Sequence, residues 1–210
     1  MWQYTKESFE KGLLDESGGF LSVRIANDRV MITPPAAKQE MFLTQEVPLY
    51  DMNGSRLAPS GQVEDHPEID FVLETMKARH DVSAVGHFHP HYATAFSRNE
   101  RSIPFVVSTA ETVLKEILWV RCKTCPHRFE GLCQCIEGQR KSYAGVNNLL
   151  IENDGIVCMG EDLKAICDLA NLMEENAKVA YQTLNPAEKF LKKLNQPTSI
   201  RAGAVSLRLV

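Results

Sequence analysis

The chain has 210 residues, of which 44% are hydrophobic and 24% charged, with a formal net charge of −4 at pH 7. This ordinary globular composition excludes a general basic surface, so we expect no nucleic-acid partner. No apolar run approaches the roughly 18 residues that span a bilayer, and the first residues lack the apolar centre of a signal peptide. We therefore expect a cytoplasmic protein without a membrane partner. Thiols stay reduced there, so the six cysteines indicate metal binding or burial rather than disulfides.

The first half of the chain alternates between helical and strand patterns. Apolar spacing predicts a helix over residues 5–16, and FLSVRI and VMIT, separated by Asn27-Asp28, predict a hairpin. Pro67 suits the first position of a second helix, with Asp65 or His66 as its cap, because apolar residues then recur at i, i+3, i+4 and i+7. This second helix leads directly into a histidine-rich strand.

That strand lies within HDVSAVGHFHPH, residues 80–91. Successive side chains of a strand point to opposite faces, so His87 and His89 share one face while Phe88 points to the other. Pro90 lacks a backbone N–H and ends the ladder. Two imidazoles on one face at a strand end can bind one metal ion, although the same pattern fits a half-exposed strand with solvated histidines.

The second half predicts two helical regions separated by a cysteine-rich segment and a hairpin. Residues 110–121 carry a helical pattern, and NLLIENDGIVCMG predicts two short strands joined at residues 153–155. Residues 162–183 predict a long amphipathic helix, which is followed by a short helix begun by Pro186 and by a terminal strand, SIRAGAVSLRLV.

Four stretches, in this order and spacing, give the chain a resemblance to a known family: GFLSVR followed by MITP, then PEIDFVLETMKARHDVSAVGHFHP, YATAFS, and NNLLIENDGIVCMGEDLKAICDLANLMEENAKVA. They resemble the class II aldolase and adducin family, including L-fuculose-phosphate aldolase-like proteins. The resemblance implies an α/β fold of three layers, in which helices flank a central, largely antiparallel sheet. It also implies an enzyme, a lyase or epimerase with a small-molecule substrate, and a homotetramer with sites between neighbouring subunits.

The same resemblance assigns roles to four residues. Glu68 occupies the place of the family's catalytic acid/base, and His87 and His89 occupy the places of its first two metal ligands. The family's third metal ligand is a histidine, and Asp154 occupies its place here. Two histidines and a carboxylate suit Zn²⁺, which we expect first, or Fe²⁺ or Mn²⁺. Each acid also has a structural alternative, because Asp154-Gly155 is a strong hairpin signal and Glu68 in a first helical turn favours the helix dipole.

In the family, the acid moves a proton next to a carbon that becomes an enediolate, which metal charge stabilises. The resemblance therefore implies a lyase acting through an enediolate on a small hydroxy-carbonyl or sugar-like substrate, and leaves aldol cleavage, epimerisation, dehydration and decarboxylation open. The family's phosphate-binding places hold Phe20, residues 34–36 and His66-Pro67 here, while Ser22 and Thr33 remain as candidate substrate-binding residues. The substrate is then non-phosphorylated or held differently. The alternative is a non-catalytic, adducin-like regulatory protein.

One cluster has no counterpart in the family pattern, and consists of Cys122, Cys125, Cys133 and Cys135. Four thiols so close together are hard to explain by packing. With no internal repeat or linker, we expect a single domain over residues 1–210 with a metal-binding insertion at about residues 121–136. Structural Zn²⁺ is favoured there, with an iron–sulfur cluster as the alternative, and metal or redox sensing belongs to the regulatory hypothesis. Cys158 and Cys167 occupy apolar positions and are expected to be buried.

Overall fold

A computed structural model describes seven parts of the chain: residues 1–16, 18–26, 29–34, 47–58, 65–98, 102–120 and 145–194. Within these parts, residue 26 and residues 184–194 are described by their backbone alone. The helices in these ranges are α1 Trp2–Glu10, α2 Ile69–Ala78, α3 His91–Ser97, α4 Ser108–Leu114 and α5 Leu163–Leu194. The strands are β1 Phe20–Ala26, β2 Arg29–Ile32, β3 Leu49–Asp51, β4 Arg56–Ala58, β5 Ala84–Phe88, β6 Leu118–Val120, β7 Asn148–Ile151 and β8 Gly155–Gly160. No helix in these parts is long and apolar enough to cross a membrane.

The strands form one sheet in the order β4-β3-β2-β1-β5-β8-β7-β6. Neighbouring strands pair antiparallel, apart from β6 and β7, which run parallel. The histidine strand, β5, lies near the middle, where His87 is opposite Phe20 of β1 and Val157 of β8. The central, largely antiparallel sheet flanked by helices confirms the predicted α/β fold class.

Two apolar cores lie on the two faces of the sheet. Helices α1, α3, α4 and α5 cover one face, where Ile166 and Met173 of α5 pack with Phe88. Helix α2 covers the other face, where Phe71 packs with Phe20. Each such fully buried side chain contributes about 1.5–3 kcal/mol relative to an exposed one. Phe88 packs in the core on the α5 face, so the alternating side chain of His87 points to the α2 face, in line with the predicted opposite directions of these two side chains.

The predicted helix over residues 5–16 is too long at its C-terminal end. Helix α1 ends at Glu10, and Gly12 adopts a left-handed backbone with a φ of +66°. Leu13 and Leu14 are fully buried, but they reach the core from the irregular segment that follows the helix. Apolar spacing alone does not distinguish these two ways of burying a leucine pair.

The predicted helix over residues 110–121 is wrong in its second half. Helix α4 ends at Leu114, and Lys115 has a φ of 58°, which turns the chain. Residues 118–120 then form β6 and pair in parallel with β7. A short apolar run has no periodicity that separates strand from helix, and the pairing with a strand about 30 residues later decides it.

The predicted break before Pro186 is absent, because α5 continues to Leu194. A proline removes one helical hydrogen bond and bends the axis, and the helix on either side can continue. The strands β1 and β2 pair as the predicted hairpin requires, although Asn27 and Asp28 themselves lie outside the described residues, as does the predicted terminal strand. The single domain over residues 1–210 stays a prediction.

Candidate functional site

Strand β5 and the β7–β8 hairpin bring two histidines and one aspartate together. His87 and Phe88 are the last two residues of the buried strand β5, His89 follows it, and Asp154 lies in the turn that precedes β8. The ligand atoms of the three residues all lie within 4.8 Å of one another. His87 Nε2 is 3.6 Å from Asp154 Oδ2, and His89 Nε2 is 3.7 Å from Asp154 Oδ1. We call these three residues the His/Asp cluster, and they are the predicted metal ligands.

The His/Asp cluster has a donor set that fits a divalent metal ion. Zinc bonds of about 2.0–2.1 Å in a tetrahedral site place neighbouring ligand atoms about 3.4 Å apart. The two observed nitrogen–oxygen distances, 3.6 and 3.7 Å, are close to this value. The side chains of His87 and Asp154 are only 4% and 5% exposed. Buried charges are normally paired or bound to metals, so these residues could hold Zn²⁺, Fe²⁺ or Mn²⁺.

Two glycines leave room for the imidazole ring of His89. A Cβ added at Gly18 would lie 2.3 Å from His89 Cε1. A Cβ added at Gly155 would lie 2.8 Å from His89 Cδ2 and 2.2 Å from the carbonyl oxygen of Phe88. Side chains are excluded at such distances, so this orientation of the ring requires glycine at both positions. No local sequence pattern marks this role of Gly18.

Asp15 approaches His89 from the side of its other ring nitrogen. The distance from Asp15 Oδ1 to His89 Nδ1 is 3.9 Å, while Nε2 faces Asp154. Ligand histidines commonly direct their second nitrogen at a carboxylate, which fixes the tautomer and the ring orientation. Asp15 therefore lies on the Nδ1 side of the ring, while Nε2 is directed at Asp154. No short-range sequence signal marks it.

Glu68, the predicted acid/base, is the N-cap residue of α2 and its side chain is 21% exposed. Its Oε2 lies 3.0 Å from Nδ1 of His66, which is buried. The prediction of Asp65 or His66 as the cap is wrong, because α2 begins at Ile69 and Glu68 is its N-cap residue. Asp65 and His66 are instead hydrogen-bonded to Tyr50. The Tyr50 hydroxyl donates to Asp65 Oδ1 and accepts the backbone N–H of His66, each at 3.1 Å. Burial raises the pKa of Tyr50, and the adjacent Asp65 adds to this, so the hydroxyl keeps its proton.

Phe20 contacts both histidine groups. Its ring centroid is 5.2 Å from that of His66 and 6.0 Å from that of His87, and both contacts are edge-to-face. The Phe20 side chain is fully buried. One rigid aromatic ring therefore packs against the histidine next to Glu68 and against a member of the His/Asp cluster.

Ser22 and Thr33, predicted to bind substrate, are fully buried. The Ser22 hydroxyl donates to the carbonyl oxygen of Val85 at 2.8 Å, and the Thr33 hydroxyl accepts the N–H of Leu21 at 3.0 Å. Both hydroxyls thus take part in bonds among β1, β5 and the end of β2. Their role in substrate binding stays a prediction.

The four clustered cysteines lie outside the described residues. Cys158 is fully buried, as expected, and Cys167 is half-buried with its Sγ 3.6 Å from the Ser8 hydroxyl oxygen. Burial raises the pKa of both thiols, so they are protonated at neutral pH. These two cysteines belong to the core on the α5 face.

A glutamate of α5, which the sequence interpretation also missed, fixes the chain just after His89. The carboxylate of Glu174 accepts the backbone N–H of Tyr92 at 2.9 Å and that of Ala93 at 2.8 Å. These N–H groups belong to the first turn of α3, where no carbonyl of the helix can accept them, and α3 begins two residues after His89. The long helix on one face of the sheet thereby anchors the segment that leaves the His/Asp cluster.

Comparisons with known proteins agree with this architecture. The model of the Class II Aldolase and Adducin N-terminal domain matches residues 1–181. The L-fuculose phosphate aldolase of Methanococcus maripaludis is 27% identical over 169 residues, which cover 79% of this chain and 85% of the relative. The 3-oxo-tetronate 4-phosphate decarboxylase of Haemophilus influenzae is 25% identical over 191 residues, which cover 91% of this chain and 90% of the relative.

Solved structures share the fold. The YgbL protein of Klebsiella pneumoniae matches with a TM-score of 0.72 at 22% identity, covering 87% of this chain and 86% of that one. The L-fuculose-1-phosphate aldolase of Thermus thermophilus matches with a TM-score of 0.66 at 20% identity, and the match covers 93% of this chain and 95% of that one.

Proposed function

The chain belongs to the class II aldolase and adducin family, and on this premise we propose that it is a metal-dependent, aldolase-like lyase for a small hydroxy-carbonyl or sugar-like substrate. The observation that carries the proposal is the His/Asp cluster, whose three ligand atoms lie within 4.8 Å of one another. Aldol cleavage and decarboxylation both break a carbon–carbon bond and leave negative charge beside a carbonyl group. A site that combines a cation with an acid/base serves either reaction.

His87 and His89 would hold the ion through Nε2, and Asp154 through a carboxylate oxygen. A divalent ion supplies positive charge that polarises the carbonyl and hydroxyl oxygens of the substrate. The burial of His87 and Asp154 keeps bulk water from these ligand atoms and strengthens the local field. We expect Zn²⁺, with Fe²⁺ and Mn²⁺ suited to the same donors. Asp154 contributes a negative charge that a third imidazole would not.

Glu68 is the proposed acid/base. Its carboxylate oxygen accepts a proton from the carbon next to the substrate carbonyl, and the electron pair of the broken C–H bond delocalises onto the carbonyl oxygen to give an enediolate. The partial exposure of Glu68 supports this role, because a substrate can reach the carboxylate from solvent. A well-positioned base typically contributes about 10² to 10⁴ in rate.

The experiment that tests this proposal is deuterium exchange into dihydroxyacetone and dihydroxyacetone phosphate in D₂O, followed by proton NMR. Glu68→Gln keeps the size of the side chain but cannot accept the proton. Exchange should therefore fall by about 10² to 10⁴, while the metal content stays unchanged.

Glu74→Gln is the matched control, because Glu74 lies on the same helix and is 42% exposed, with its carboxylate paired to Lys77. It should exchange like the wild type. Equal exchange by Glu68→Gln and the wild type would contradict the assignment of Glu68. A metal-loaded wild type that exchanges neither probe would favour the non-catalytic, regulatory alternative.

We also propose that the substrate is held without the phosphate contacts usual in the family. This is supported by Phe20 and His66, which are buried and pack against each other at two of the places concerned. Neither offers the hydroxyl or amide side chain that binds phosphate in the family pattern. The wild type should then exchange dihydroxyacetone at least as fast as its phosphate ester, and a strong preference for the ester would contradict this.

The remaining proposals rest on the sequence. We expect a cytoplasmic homotetramer, which light scattering would detect as a molar mass of four chains.

We also expect structural Zn²⁺, or alternatively an iron–sulfur cluster, at Cys122, Cys125, Cys133 and Cys135. Elemental analysis and the visible spectrum of protein purified without oxygen separate these two cofactors. If the double variant Cys122→Ser/Cys125→Ser contains as much metal as the wild type, the cysteines bind no metal.

A further inference from the structure

Helix α3 begins two residues after His89, and its N-terminus has no local cap. The N-cap residue is Pro90, which makes no side-chain hydrogen bond. Helices normally satisfy their first N–H groups with the side chain of a Ser, Thr, Asp or Asn at this position, and proline has no such acceptor. The acceptor for the first N–H groups of α3 therefore has to come from another part of the fold.

Glu174 of α5 supplies that acceptor from more than 80 residues away in the chain. Its Oε1 accepts the N–H of Tyr92 at 2.9 Å, and its Oε2 accepts the N–H of Ala93 at 2.8 Å. An ionised carboxylate has two acceptor oxygens and no donor, so it matches two N–H groups side by side. Hydrogen bonds to an ionised group are stronger than neutral ones. The first turn of α3 is thus fixed to α5 at two points.

The backbone of His89 is held on both sides. On one side its N–H donates to the carbonyl oxygen of Leu13 at 2.9 Å. On the other side lies Pro90, which confines the residue before it to extended conformations and whose carbonyl oxygen accepts the N–H of Thr94 at 2.9 Å. Pro90 therefore joins His89 stiffly to the start of α3, and Glu174 fixes where that start lies.

We propose that Glu174 is a positioning residue for the candidate metal site. By holding the first turn of α3, it fixes the backbone from which His89 directs Nε2 at Asp154, whose Oδ1 lies 3.7 Å away. The inference rests on the proposed metal-binding role of the His/Asp cluster. It adds that the metal affinity of this cluster depends on a carboxylate of the long helix that is not itself one of the three ligands.

Asn176 offers a matched control, because it anchors another helix from the same face of α5. Its Oδ1 accepts the N–H groups of Val106 and Val107 at 3.0 and 3.2 Å, and Val107 is the N-cap residue of α4. Its Nδ2 donates to the carbonyl oxygen of Pro104 at 3.0 Å. Asn176→Ala thus removes an anchor of the same kind, from a segment that contains none of the three ligands.

A Co²⁺ titration separates positioning from stability. The probe is followed by the ligand-field bands of nitrogen and oxygen donors, and the Tm is measured on the metal-free protein. Glu174→Ala leaves two N–H groups without their acceptor, so the Tm should fall by about 2–8 °C and the Co²⁺ affinity by about 10-fold. Asn176→Ala should lower the Tm at least as much and leave the Co²⁺ affinity unchanged.

A second measurement needs neither metal nor activity. In metal-free protein labelled with ¹³C-histidine, the ring resonance of His89 is assigned by its absence in His89→Gln. This resonance should move in Glu174→Ala and stay in place in Asn176→Ala. Both measurements are independent of catalysis, so failure of the proposed reaction and failure of this inference are distinguishable.

Three results would overturn the inference. A folded Glu174→Ala variant could bind Co²⁺ as tightly as the wild type, or its His89 resonance could stay in place. Alternatively, Asn176→Ala could lose as much Co²⁺ affinity as Glu174→Ala, which would show that affinity follows stability. If Glu174→Ala does not fold, Glu174→Gln replaces it, because glutamine keeps the size and one acceptor oxygen. Its His89 resonance should also move, and an unmoved resonance there would equally overturn the inference.

Discussion

Two carboxylate–histidine groups pack against Phe20, and they are built differently. In the His/Asp cluster each oxygen of Asp154 faces a separate imidazole, and the carboxylate is 5% exposed. In the other group only Oε2 of Glu68 faces an imidazole, and the carboxylate is 21% exposed. A buried carboxylate with both oxygens directed at imidazoles suits a shared cation, whereas one oxygen left for solvent or substrate suits proton transfer. The same two residue types thus support two kinds of chemistry.

The largest expected effect separates the two groups by metal affinity. Asp154→Asn removes the charge that two imidazoles share, so affinity for Zn²⁺ should fall by more than about 100-fold, since even outer residues of metal sites are worth about 10- to 100-fold. Glu68→Gln should leave affinity unchanged. Competition with a coloured chelator measures both.

Asp162→Asn is the control for losing a carboxylate charge away from the metal site. Asp162 is exposed, and its carboxylate accepts the backbone N–H of Ala165 at the start of α5. Its Zn²⁺ affinity should match that of the wild type. Equal losses in Asp154→Asn and Glu68→Gln would remove the distinction between the two groups.

A smaller effect should come from the glycine beside His89. The methyl group of Gly18→Ala would lie 2.3 Å from His89 Cε1, so the ring must turn away from Asp154. Zn²⁺ affinity should then fall by about 10- to 100-fold, as for other changes that misorient a ligand.

Gly12→Ala controls for backbone strain. Gly12 has a φ of +66° but nothing within 4 Å of an added Cβ. It should lose about 1–2 kcal/mol of unfolding free energy for the left-handed backbone and keep its metal affinity. A Gly18→Ala variant that binds Zn²⁺ like Gly12→Ala would contradict the fit of His89 between glycines.

The smallest effect is expected where a carboxylate pairs with a guanidinium instead of an imidazole. The hydrogen bond from Arg79 holds the pKa of Asp81 below its usual value. A lowered folded-state pKa gives stability that is present above the unfolded pKa and is lost as pH falls through the folded one. Because the Asp81 side chain is 66% exposed, the loss in Asp81→Asn at pH 7 should be below about 1 kcal/mol.

Thermal unfolding at pH 7 and at pH 2 measures this difference, which should shrink at the lower pH as Asp81 takes up a proton. Metal binding and exchange should be unaffected, because neither group contains Asp81. A destabilisation that persists unchanged at pH 2 would show that the pair contributes through packing instead of charge.

Local patterns predicted most of what forms the His/Asp cluster. Alternation along β5 places His87 and His89 on one face, and the turn at Asp154-Gly155 is a strong hairpin signal, so short-range rules suffice once the family pattern relates the two segments. The contact between His66 and Glu68 was not predictable in the same way. It depends on Tyr50, which lies 16 residues before His66 and holds its backbone.

Two other features were not predictable from the sequence, for the same physical reason. Gly18 matters because the ring of His89, about 70 residues later, occupies the space of its missing side chain. Residues 118–120 form a strand because β7 is available to pair with it. Both depend on which segments meet in the fold, and periodicity within one segment carries no such information.

The most direct test of the central claim is the visible spectrum of Co²⁺ bound to the wild type, His87→Ala and Asp154→Ala, each purified without oxygen and shown to be folded. Nitrogen and oxygen donors give ligand-field bands without the intense thiolate charge-transfer band expected of a cysteine site. The account predicts these bands in the wild type and their loss in both variants, with any thiolate band unchanged. Retention of the nitrogen and oxygen bands in both variants would contradict a metal shared by His87, His89 and Asp154.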